Sequence, residues 1–113
     1  MIWGIIGAMP SEIALLKAQM VDAKEEIVSG LTYQSGKIRG KDVVLCCSEI
    51  GKVNAAMCAQ TLALRYHVDY MINTGVAGCT CDDLNVLDIV LSQDLVFHDF
   101  DSGTVSDHLS ALL

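Results

Sequence analysis

Residues Ile2-Trp3-Gly4-Ile5-Ile6 are apolar at consecutive rather than alternate positions, and Gly7 closes the run. Such a run suits a strand buried on both faces, as in a parallel sheet whose two sides are covered by helices. The next segment reads as a helix over residues 11–20. Ile13, Leu16 and Met20 fall on one face, Glu12 and Lys17 lie off it, and Pro10 fits the first turn, where its missing N–H costs nothing. The pattern then changes. Residues 26–29, 31–38 and 43–47 read as strands of an antiparallel meander, separated by the turn signals Ser29-Gly30 and Arg39-Gly40-Lys41.

A second helix is expected over residues 51–66. Val53, Ala56, Met57, Ala59, Leu62, Ala63 and Leu64 make it apolar almost all round, so it should be covered by its own sheet and by a partner subunit. Tyr70-Met71-Ile72-Asn73 is a compact strand feeding the loop Thr74-Gly75-Val76-Ala77-Gly78, and residues 86–91 are a further strand candidate. Buried strands alternating with helices indicate an α/β domain with a mixed sheet.

The length of 113 residues accommodates one domain and not two. Seven basic against fourteen acidic residues give a net charge of −7, which argues against a basic surface for nucleic acid or an anionic membrane. Mean hydropathy is high at +0.44. The longest uncharged runs, such as residues 53–64, are nevertheless only about a dozen residues, short of the roughly 20 that a spanning helix needs. No basic region precedes the first apolar run, so the expectation is a cytoplasmic chain whose N-terminus is a strand of the fold and not a secretory signal.

The five cysteines are odd in number and unsuited by spacing to a disulfide framework. Cys46 and Cys47 are adjacent, Cys58 lies in a helical pattern, and Cys79 and Cys81 flank Thr80. There is C-x-C but no C-x₂-C pair, and His67, His98 and His108 are scattered, so no metal site is expected. All five are read as reduced, small, structural hydrophobes.

Open α/β sheets bind ligands at strand ends, and three strand ends carry suggestive residues. In Gly4-Ile5-Ile6-Gly7-Ala8-Met9, a ligand could approach the Gly-Ala backbone while Glu12, one turn into the helix, held a carboxylate at fixed distance. The plainer reading is a tight turn with Glu12 favourable near a helix N-terminus, and the spacing is not that of a dinucleotide fingerprint. In Ser48-Glu49-Ile50-Gly51-Lys52, Gly51 at a strand-to-helix junction could receive an anion or a sugar hydroxyl, although the phosphate-loop spacing is absent and the plainer reading of Lys52 is a solvated charge. In Asn73-Thr74-Gly75-Val76-Ala77-Gly78, small residues leave backbone groups free to read the edge of a flat heterocycle, or merely make a turn. His98-Asp99-Phe100-Asp101 could form a site, the plainer reading being an exposed acidic loop.

In this order the segments resemble the N-terminal half of a 5′-methylthioadenosine/S-adenosylhomocysteine nucleosidase, of the purine nucleoside phosphorylase-like superfamily. The motifs are Gly4 through Met9 with Glu12, Ser48 through Ala56, Ile72 through Gly78, Asp88-Ile89-Val90 and His98-Asp99. The resemblance spans residues 1–101 and leaves residues 102–113 as an unmatched tail of a single partial domain. It implies an incomplete purine nucleoside phosphorylase-like three-layer sandwich with a mixed central sheet.

The implied activity is hydrolysis of an N-glycosidic bond, releasing adenine from a 5′-thio-substituted ribose in methionine salvage. Such a reaction passes through an oxocarbenium-like sugar. It needs a carboxylate to position or deprotonate water and an acid to protonate the purine. By resemblance Glu12 is the catalytic carboxylate, and Ala8, Met9, Ile50, Val76, Ala77 and Gly78 bind the substrate. Met9 and Ile50 would supply apolar contact around the sugar and its 5′ substituent, and the others would act largely through backbone. No metal or organic cofactor is implied, water is the co-substrate, and a homodimer through the apolar second helix is expected. The family's purine-protonating aspartate and its ribose-gripping Met-Glu pair have no counterpart here, and no motif makes Asp107 or His108 a substitute. The rival expectation is therefore an inactive truncated fragment that at most binds nucleoside or self-associates.

Overall fold

The computed structural model describes residues 1–99. The tail 102–113, with Asp107 and His108, lies outside the described residues. The chain divides into a unit from Met1 to Gly78 and a second that begins at Cys79. The first contains every regular element among the described residues: β1 (Ile2–Gly7), α1 (Pro10–Gln19), β2 (Val21–Val28), β3 (Leu31–Ile38), β4 (Lys41–Cys47), α2 (Lys52–Leu64) and β5 (Tyr70–Asn73).

The five strands form one mixed sheet in the order β2-β3-β4-β1-β5. The meander is antiparallel, as the sequence suggests, and both its hairpins close through two-residue loops. Ser29 and Gly30 have φ of 51° and 80°, and Arg39 and Gly40 have 49° and 76°. Two consecutive positive φ values give the primed turn whose twist matches that of the strands. β2 starts five residues earlier than the sequence reading places it, directly after α1, and a bulge between Val21 and Lys24, with Asp22 at φ 53°, absorbs the change of direction.

β1 runs parallel to both β4 and β5, with Ile5 opposite Leu45 on one side and Ile72 on the other. Its consecutive apolar residues are thereby explained, because each face has its own core. Ile6, Val44 and Cys46 pack with Tyr33 against Cys58 and Leu62 of α2. Ile5, Val43 and Leu45 pack against Ile13 of α1, with Leu16 and Met20 beside them. This is the expected three-layer arrangement, with α1 and α2 on opposite faces of a sheet that remains open.

Among the described residues only one side of α2 is covered. Cys58 and Leu62 are fully buried, whereas Val53, Met57 and Leu64 are exposed. No described helix is long and apolar enough to cross a membrane.

The second unit departs from expectation. Residues 86–91 form no strand. Asp88 N–H donates to the Asn85 carbonyl at 3.1 Å, the Asp88 carboxylate accepts the Asn85 N–H at 2.8 Å, and Leu87 stands at φ 77°. That local turn pairs Asn85 with Asp88 and opposes the extended conformation that the apolar side chains around it favour.

Glu26 of β2 ties the meander to the end of α2. Its carboxylate accepts the Arg65 guanidinium, with Nε at 3.0 Å, and the Tyr66 hydroxyl at 2.8 Å. These bonds, Arg65 first, hold its pKa down to about 2 from the ordinary 4.5. A folded-state pKa below the unfolded one stabilises the fold above the unfolded value, and that contribution is lost as pH falls through the folded value. In urea denaturation, Glu26→Gln should unfold at a lower midpoint than wild type at neutral pH, and the gap should close as pH falls from 4.5 toward about 2. A gap that did not change with pH would contradict this.

Candidate active site

The parallel trio β4-β1-β5 brings three strand ends to one edge of the sheet, and short backbone links fasten them together. Ser48 N–H, just past β4, donates to the Gly7 carbonyl at 2.8 Å, and Thr74 N–H, just past β5, donates to the Ile6 carbonyl at 2.9 Å. Register alone therefore places Ala8-Met9 between Ser48-Glu49-Ile50 and Thr74-Gly75-Val76.

Glu12 sits in the first turn of α1, with Pro10 in that same turn and Met9 at the N-cap. Its Oε2 accepts the N–H groups of Ala8 at 2.7 Å and Met9 at 3.0 Å, while its own N–H donates to the Met9 carbonyl at 3.0 Å. Helix capping accounts for that oxygen. It does not account for the other. Oε1 accepts Val76 N–H at 3.0 Å, from a residue 64 positions away in the loop after β5. The carboxylate thus bridges two strand ends.

Three backbone donors favour the charged form, so the Glu12 pKa is lowered from 4.5, first by Val76 and then by Met9, against an opposing effect of burial that outweighs the further lowering by Ala8 alone. The close approach also requires Gly75. A Cβ there would lie 2.5 Å from Glu12 Oε1 and 2.8 Å from its Cδ.

Beside this bridge is an open cleft of about 620 Å³, lined by Ala8, Met9, Glu49, Ile50, Leu31 and Thr32 among others. The thiol of Cys47, also in its wall, donates to the Ala8 carbonyl at 3.6 Å. Glu49 adopts φ 66°, an uncommon conformation for a residue with a side chain, and Gly51 adopts φ 109°, at the junction into α2. Asn54 fixes that junction by donating its side-chain amide to the Ile50 carbonyl at 2.8 Å.

Of the residues singled out in the sequence, Ala8, Met9 and Ile50 meet in the cleft wall, and Glu12 joins Ala8 and Met9 to Val76. Val76 contributes through its backbone, its side chain being 82% exposed. Ala77 and Gly78 continue the loop on the surface. Glu49, Thr32, Asn54 and the requirement for Gly75 were not singled out by sequence reasoning. The signal for Glu49 is a charged residue between Ser48 and Ile50 at a strand end, Asn54 acts locally on a carbonyl four residues back, and Thr32 and Gly75 depend on long-range packing. The second unit adds an exposed His98–Asp99 pair, Nδ1 to Oδ1 at 3.8 Å. Among the described residues no three His, Cys, Asp or Glu side chains gather as metal ligands. The reading of the cysteines needs correction at two positions: Cys46 and Cys58 are buried, but Cys79 and Cys81 are exposed, because the loop that carries them packs neither thiol.

The profile of the phosphorylase superfamily matches residues 3–109. A 5′-methylthioadenosine/S-adenosylhomocysteine nucleosidase of Oceanobacillus iheyensis is 50% identical over 99 residues, covering 88% of this chain and 43% of the relative. A nucleosidase of the same description from Colwellia psychrerythraea, crystallised with adenine, superimposes with a TM-score of 0.88 at 46% identity, over 90% of this chain and 42% of that one. A futalosine hydrolase of Helicobacter pylori superimposes at 0.82 with 32% identity, over 89% of this chain and 44% of that one. The chain spans a little over two fifths of the length of the curated relatives it matches, such as 43% and 42% of two of them.

Gly75→Ala is expected to break the Val76 bond to Glu12, raise the Glu12 pKa toward 4.5 and lower Tm. In a Glu12→Ala background the same substitution should lower Tm much less, since the carboxylate it collides with is gone. Equal losses in both backgrounds, measured by thermal melts, would show that Gly75 is needed for some other reason.

Proposed function

The chain belongs to the phosphorylase superfamily, and from that premise we propose that its strand-end cleft is part of a 5′-methylthioadenosine/S-adenosylhomocysteine nucleosidase site, which hydrolyses the N-glycosidic bond and releases adenine. The observation that carries the proposal is the Glu12 carboxylate, held ionised by amides of two strand ends, two of which belong to Ala8 and Met9 in the wall of an open cleft.

The chemistry suits such a group. As the purine departs, the sugar becomes oxocarbenium-like, and a fixed negative charge nearby opposes its positive charge. Oε2 already accepts two N–H groups and Oε1 accepts one, so Oε1 keeps a lone pair for the O–H of an attacking water. Water that adds to a cationic carbon becomes strongly acidic as the C–O bond forms. A carboxylate of lowered basicity can therefore still take the proton, while remaining charged beforehand to hold the water. Met9 and Ile50 would cover the sugar and its 5′ substituent, and Ala8, Val76, Ala77 and Gly78 would line the nucleoside largely through backbone.

Further parts of the proposal are a homodimer, supported by the exposed Val53, Met57 and Leu64 of α2, and a cytoplasmic role in methionine salvage, supported by the family. A second reading, nucleoside binding or self-association without turnover, is favoured by the coverage of the relatives, 43% in one case.

Adenine release from 5′-methylthioadenosine, followed by chromatography, tests the proposal. Wild type should release adenine, and Glu12→Gln should be slower by about a hundredfold or more, the usual worth of a positioned general base. Equal release by both would overturn the role of Glu12. A methylthioadenosine-induced rise in Tm with no release would select the second reading.

A further inference from the structure

Cys79 and Cys81 differ from the other three cysteines. Both are exposed, whereas Cys46 and Cys58 are buried in the core and the Cys47 thiol is engaged by the Ala8 carbonyl. Their sulfurs stand 3.5 Å apart across Thr80, and Cys79 Sγ also lies 3.1 Å from the Cys81 carbonyl oxygen. Neither thiol serves the core, the cleft or the Glu12 bridge. Two accessible sulfurs already near contact need little backbone movement to reach bonding distance.

We propose that Cys79 and Cys81 form a thiol–disulfide exchange site, a surface dithiol that a neutral or cationic low-molecular-weight disulfide converts to an intrachain Cys79–Cys81 bond. The Cys81 thiolate attacks one sulfur of the small disulfide, whose S–S bond breaks. One half leaves as a thiolate and is protonated, and the other half stays on Cys81 as a mixed disulfide. Cys79 then gives up its proton and attacks Cys81 Sγ, forming the Cys79–Cys81 bond and expelling the second half as a thiol. Two protein thiols are oxidised, and one small disulfide is reduced to two thiols.

The environment assigns the order of attack. The thiol of Cys79 and the backbone N–H groups of Asp83, Cys81 and Leu84 hold the Cys81 thiol below its ordinary range, Cys79 contributing most. Asp82 and Asp83 follow directly in sequence, so their negative charge favours cationic over anionic disulfides near the site.

Cystamine is the suitable probe for the full 113-residue chain. After acid quenching and alkylation, mass mapping of wild type should show a product lighter by two hydrogens, with Cys79 linked to Cys81, no retained cysteamine, and full reversal by dithiothreitol. Cys79→Ser should retain cysteamine on Cys81 as a stable adduct. Cys81→Ser should acquire it on Cys79 several-fold more slowly. Wild type that keeps cysteamine on either residue without closing the ring, or that does not react, would overturn the proposal, as would a product that instead links Cys46, Cys47 or Cys58.

Discussion

The bridge from the Glu12 carboxylate to the amides of Ala8, Met9 and Val76 is the interaction on which the candidate site depends. A carboxylate with three backbone donors is ionised and directional, and because those donors belong to two different strand ends it also fixes their separation. Gly75 is constrained by it directly, since only hydrogen fits between the loop and Oε1. Capping of α1 is its local half, and contact with the loop after β5 is its long-range half. The same side chain therefore positions a helix and holds a charge at the junction of two strand ends.

The sheet makes the bridge possible. Parallel pairing of β1 with β4 and β5 carries three loops to one edge, while the antiparallel meander β2-β3-β4 extends the sheet and brings Leu31 and Thr32 to the wall of the cleft. α1 and α2, on opposite faces, keep β1 buried between two small cores. The cleft consequently opens on ordered backbone at the carboxyl ends of parallel strands, the usual place for ligands in open α/β sheets.

Much of this was legible in the sequence because it depends on local rules. The consecutive apolar residues of β1, the turn signals at Ser29-Gly30 and Arg39-Gly40, and Pro10 in the first turn of α1 each specify structure over a few residues. The strand Tyr70–Asn73 has in the fold the bounds that its sequence pattern predicts. What was not legible depends on distant partners. Nothing near Val76 announces that its N–H faces Glu12, and nothing near Cys79 shows that its thiol is exposed. Residues 86–91 show the opposite failure, in which apolar, branched side chains indicated a strand and a turn at Asn85–Asp88 prevailed. Motif order, together with the similarity to nucleosidases, supplied the chemical meaning that geometry alone leaves general.

The central claim is that Glu12 is a carboxylate held charged by both strand ends at once, and a carbon-13 NMR titration of its side chain, with the Val76 amide observed in parallel, tests this most directly. The carboxyl should titrate with a midpoint below 4.5, and the Val76 N–H signal should move with that same midpoint. A Glu12 midpoint at or above 4.5, or a Val76 amide indifferent to it, would contradict the bridge.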